Sequence, residues 1–158
     1  MKIIYTLLLS FTFSSIIGHQ TNVKPIAPVY ISKHQTEQTE GNFNSVLVEL
    51  SEGINPKAYQ KTWKTEGPVW VDKVKAAADV STLSASLLEF SGKIKPKYFK
   101  PTWEKAKDKW VKQVKEARSN LALAGLLKSF YNHLTPETFT KEWPSKGAQW
   151  VETLNKIE

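Results

Sequence analysis

Ten basic residues crowd one stretch of forty: Lys93, Lys95, Lys97, Lys100, Lys105, Lys107, Lys109, Lys112, Lys115 and Arg118. Residues 81–120 hold these ten against four acidic residues, whereas 41–80 hold five of each sign and 121–158 four of each, so the excess of the domain, in a chain of net charge +7, belongs to its middle. A patch of this kind steers anionic surfaces toward itself by long-range attraction. The expected partners are an anionic polysaccharide, a membrane surface or an acidic protein; nucleic acid is not expected. Part of the charge is offset locally, because Asp108 with Lys112 and Lys112 with Glu116 are spaced for pairing one helical turn apart.

Other chemistries find less support. His19, His34 and His133 are scattered, and the chain has no cysteine, so no set with metal-ligand spacing exists and no disulfide can form. Neither a glycine-rich phosphate loop nor a nucleophile motif is present. Glu89, Glu104, Glu137 and Glu142 could in principle supply a carboxylate pair, as in any helical protein of this size. The sequence therefore points to a non-enzymatic binding protein with no catalytic residue, metal or cofactor.

The elements that must carry the lysines announce themselves through tryptophan. Trp63, Trp103 and Trp143 lie forty residues apart, as do Trp70, Trp110 and Trp150, Leu47, Leu87 and Leu127, and Pro56, Pro96 and Pro136. Apolar columns accompany them: Phe43, Leu83, Leu123; Leu50, Phe90, Phe130; Ile54, Ile94, Leu134; and Tyr59, Phe99, Phe139. Self-similarity at one period, without gaps, marks a repeat architecture. Every identical column is Pro, Leu, Trp or Val, so the copies share packing. Leu47, Trp63, Trp70, Leu87, Trp103, Trp110, Leu127, Trp143 and Trp150 are the expected core, and any localised function is expected where the copies differ.

Each copy reads as a short helix, a proline turn and a longer helical stretch. Phe43, Leu47, Leu50 and Ile54 step by four, three and four, which is one face of an α-helix. Asn55 and Thr135 precede their prolines as N-caps; Lys95 is a poorer one. Gly67 with Pro68, Pro101, and Pro144 with Gly147 predict a bend or a split in the longer stretch, because proline removes a hydrogen bond and clashes with the preceding turn. Trp103, Trp110 and Val114 share one side of theirs, with Lys105, Lys109 and Lys112 opposite. Lys107 stands on the apolar flank where the other copies have Gly67 and Gly147, its head expected to reach back to water. The turns joining the copies fall at Asp79–Thr82 and Ser119–Asn120.

A helical hairpin with one apolar stripe has nothing to cover it alone, so the copies must share a core. The expected fold is all-α: three tandem repeats, residues 43–80, 83–120 and 123–158, stacked in a compact array with the outer copies as caps. The abundance of aromatic rings, Tyr59, Tyr98 and Tyr131 among them, raises an alternative function: a groove between repeats that takes a small apolar or aromatic-stacking ligand.

Upstream, MKIIYTLLLSFTFSSIIG has a basic residue, an apolar run and small residues behind it, the layout of a secretory signal peptide over residues 1–18. The protein is expected to be secreted or periplasmic. Residues 19–42 are polar and proline-containing, read as a flexible leader to the domain.

Overall fold

The computed structural model describes residues 33–157, with side chains from Phe43 onward. The signal peptide and the leader up to residue 32 lie outside the described residues. Six α-helices follow in order: α1 (Lys33–Gly53), α2 (Trp63–Ala76), α3 (Val80–Gly92), α4 (Thr102–Glu116), α5 (Asn120–Asn132) and α6 (Trp143–Leu154). No strand forms among the described residues. The first helix starts at Lys33, so its backbone takes in the last ten positions of the segment expected as leader.

Local chemistry sets the ends of these elements. Asp79 caps α3 by accepting from the Thr82 amide at 2.8 Å, and Ser119 caps α5 by accepting from the Ala122 amide at 3.1 Å. The three prolines at 56, 96 and 136 each open a single 3-10 turn, where a missing N–H is no loss. Asn55 caps its turn through the Lys57 amide at 3.0 Å, whereas neither Lys95 nor Thr135 makes a side-chain cap. The Thr135 hydroxyl instead lies 3.3 Å from that of Thr138.

The long stretches are not split. Pro101 precedes α4 and Pro144 falls in the first turn of α6, positions at which proline interrupts no hydrogen bond. Pro68 does lie inside α2, which continues past it. Lys64 and Pro68 are both exposed, so the carbonyl deprived of its donor is on the solvent side.

Three helices form the centre. Phe43, Leu47 and Leu50 of α1, Leu83, Leu87 and Phe90 of α3, and Leu123, Leu127 and Phe130 of α5 are all fully buried, and these three helices touch one another. The other three lie outside them, each spanning two inner helices: α2 on α1 and α3, α4 on α3 and α5, α6 on α5 and α1. The last contact corrects the expectation of an array with capped ends, since α6 closes onto α1 and leaves neither end free.

Hydrogen bonds repeat this closure. The indole N–H of Trp70 donates to the Ser86 carbonyl at 2.9 Å, that of Trp110 to Leu126 at 2.8 Å, and that of Trp150 to Val46 at 2.8 Å, which satisfies these three indole donors. At one end of the molecule the linking turns bond each other. Amides of Lys95, Thr135 and Asn55 donate to carbonyls of Ala58, Tyr98 and Thr138 at 2.9, 3.0 and 2.8 Å. Short antiparallel bridges pair Tyr59 with Ile94, Phe99 with Leu134, and Phe139 with Ile54.

Candidate functional site

The nine lysines expected at a binding surface do not form one uniform patch. Lys93 is half-buried, its ammonium 2.7 Å from Glu66 of α2. Lys95 donates to the Lys57 carbonyl at 2.9 Å, Lys100 to the Asn132 carbonyl at 2.7 Å, and Lys97 lies 5.1 Å above the ring of its neighbour Tyr98. These four stitch or decorate the turns. Lys105, Lys107, Lys109, Lys112 and Lys115 stand exposed on α4, where the described ion pair is that of Lys112 with Glu116 at 4.0 Å. Lys107 is exposed, its head in water.

Eight of the nine residues expected in the core are buried; Trp63 is not. The difference lies in what covers each ring. Trp143 is 3% exposed because Gly53 lets its indole lie directly on the α1 backbone, with Phe139 stacked at 5.4 Å and Tyr131 at 6.4 Å. Trp103 is 5% exposed, sandwiched by Phe99 at 5.1 Å and the His133 ring at 5.4 Å, with Phe130 edge-on at 5.6 Å. His133 thus serves as a wall, its Nδ1 held 3.2 Å from the Thr102 hydroxyl. The position corresponding to Gly53 and His133 holds Lys93, whose head pairs with Glu66.

The partly covered indole opens into a groove of about 850 Å³ between α1, α2 and the turn that joins them. Its floor is Trp63 backed by Tyr59, stacked at 4.6 Å with 15° between planes. Ser51 and Gly67 flank it. Forty and eighty residues on, the position of Ser51 holds Ser91 and Tyr131, and that of Gly67 holds Lys107 and Gly147. In the third hairpin, α5 with α6, the Tyr131 hydroxyl reaches the space beside Gly147 and leaves no such opening. The first hairpin has a small residue at both positions, and the second has a lysine at one. Gly67 is also needed for the ring itself, since a Cβ there would stand 3.0 Å from the Trp63 indole.

Charged groups ring the opening. Lys61, Lys64 and Lys95 stand toward the turn, as does Glu52, the next-to-last residue of α1, and Asp72 stands farther along α2. Among the described residues none of these five has an oppositely charged partner within 4.0 Å. Beneath them, Tyr59 donates its hydroxyl to the Ser51 carbonyl at 2.7 Å, and burial pushes its phenol well above its ordinary value, so it remains a neutral donor. On α2, the Lys93 ammonium and then the Thr62 hydroxyl hold the Glu66 carboxyl below the usual range.

This arrangement can stack a flat ligand and hydrogen-bond its edge. No group of acidic or histidine residues that could hold a metal occurs among the described residues, and no described helix is long and apolar enough to cross a membrane. No family model, curated protein or solved structure matches the chain. The sequence suggested a groove between repeats; this one lies chiefly within the first hairpin, and its place escaped the sequence because it consists of side chains that are missing. Its only trace there was Ser51 opposite Tyr131 and Gly67 opposite Lys107.

Proposed function

We propose that this is an exported, non-enzymatic binding domain of three tandem forty-residue units closed into a ring, and that it takes its ligand in the groove over Trp63. The observation that carries the site is the partial exposure of that one indole, alone among six, at the floor of a groove of about 850 Å³. A volume in this range suits a compact ligand or one short segment of a polymer. Support for the ring of units is the recurrence of the same indole and backbone hydrogen bonds at a spacing of forty, through to the last pair. Export rests on the pattern of residues 1–18.

Ser51→Tyr tests the site by giving the first unit the side chain that fills the third. The variant is expected to keep the helical circular dichroism of the parent and to lose the change in tryptophan fluorescence that ligand produces. Retained binding would place the ligand elsewhere.

A second reading has its own support, the five exposed lysines of α4 with one long ion pair among them. That face would draw the domain to an anionic polymer, an acidic membrane or an acidic protein. The charge reversals Lys105→Glu, Lys109→Glu and Lys112→Glu should then abolish a salt-sensitive interaction without unfolding the domain.

A further inference from the structure

Resting on the groove as the binding site, we infer that its ligand is an acidic saccharide, a pyranose ring stacked on Trp63 with its carboxylate toward the turn. Two features select this class. The floor is a single flat platform, Trp63 with Tyr59 stacked behind it, which matches one ring face better than the spaced ridges that grip an extended peptide. The rim supplies both signs of hydrogen-bonding group around that platform: carboxylates that only accept, from Glu52 and Asp72, and ammonium groups that only donate, from Lys61, Lys64 and Lys95. Hydroxyl groups both donate and accept, so a sugar satisfies both sets. A wholly apolar ligand would offer these five charged groups no partner.

The polarity of the rim sets the orientation. Lys64 and Asp72 are eight residues apart on α2, about 12 Å along a helix axis rising 1.5 Å per residue. The lysine end coincides with the N-terminus of α2, where the helix dipole adds to their positive potential. The ligand's carboxylate lies there, where Lys61, Lys64 and Lys95 outnumber Glu52 and offer charge-assisted hydrogen bonds, while its hydroxyls extend along α2 toward Asp72.

The test is a titration of the full chain, by tryptophan fluorescence and calorimetry, with galacturonate oligomers, neutral β-glucose oligomers, a proline-rich peptide and an apolar dye. Galacturonate oligomers are expected to bind at least about tenfold more tightly than the neutral ones and to weaken as salt rises. Trp63→Ala should remove that binding. Should Trp63→Ala disturb folding, Lys61→Glu with Lys64→Glu, at exposed positions, should remove it as well. Loss of binding in the α4 charge reversals with retention in these variants would move the saccharide to α4 and overturn the inference. Neutral oligomers bound as tightly, or peptide or dye bound at Trp63 in place of any saccharide, would overturn the ligand class and leave the groove standing. If no probe perturbs Trp63, the groove itself fails as the site.

Discussion

Trp63 and Trp143 occupy matching places in the first and last hairpins, yet one is partly open to solvent and the other is sealed. Their own stacking partners are alike, Tyr59 at 4.6 Å and Phe139 at 5.4 Å. What differs is supplied by the neighbouring hairpin and by the helix opposite. Trp143 receives Gly53 and Tyr131, whereas the corresponding places in the first hairpin hold Lys93, paired with Glu66, and Ser51. An aromatic scaffold position thus becomes a surface through changes at its covering residues, with the indole itself left in place.

The strongest test of that contrast removes each ring in turn. Trp143→Ala should cost about 3–5 kcal/mol, the usual figure for emptying a buried aromatic site, and Trp63→Ala about half as much, because part of its surface is already in water. Urea unfolding measures both, and equal losses would erase the distinction. Next in size is the glycine beneath the sealed ring. A methyl group on Gly53 would overlap the Trp143 ring, which is packed on its other sides, so Gly53→Ala should destabilise by about 1–3 kcal/mol. Gly92 has open space around it, and Gly92→Ala should stay within about 0.5 kcal/mol of the parent.

The smallest effect concerns the phenol beneath the open groove. Tyr59→Phe forfeits the bond to the Ser51 carbonyl, about 1 kcal/mol. It should also change the response to alkali. Burial raises the Tyr59 pKa in the folded state, so its contribution is complete below the unfolded value near 10 and declines as pH climbs beyond it, when only the unfolded chain ionises. Thermal melts from pH 8 to 11 should show that decline in the parent and a shallower one in Tyr59→Phe. Identical slopes would mean the phenol is not as sheltered as its surroundings indicate.

Much of the scaffold can be inferred from residue spacing. Phe43, Leu47 and Leu50 mark the buried face of α1 by their periodicity alone, and the tryptophan columns mark the outer helices. Ring closure cannot be inferred this way, because an apolar stripe says that a face is covered without saying by which helix; the stripe of α6 serves an open array and a closed one equally. The prolines misled for a related reason: their effect depends on where a helix begins, and Pro101 and Pro144 turned out to lie at beginnings. The groove was hardest, since a cavity is made by small residues whose meaning appears only beside larger ones at matching places. The lysines were easy to find by count, but the ties of Lys93, Lys95 and Lys100 to Glu66, Lys57 and Asn132 belong to geometry.

The three indole bonds also differ in the length of chain they span. Trp70 and Trp110 each reach a carbonyl 16 residues away, while Trp150 reaches one 104 residues away. Two seams can therefore form from nearby segments, and the third waits until α6 meets α1. Until then α1 keeps a greasy flank unsheltered, so completion of the fold is a late, long-loop event whose entropy cost sets its pace.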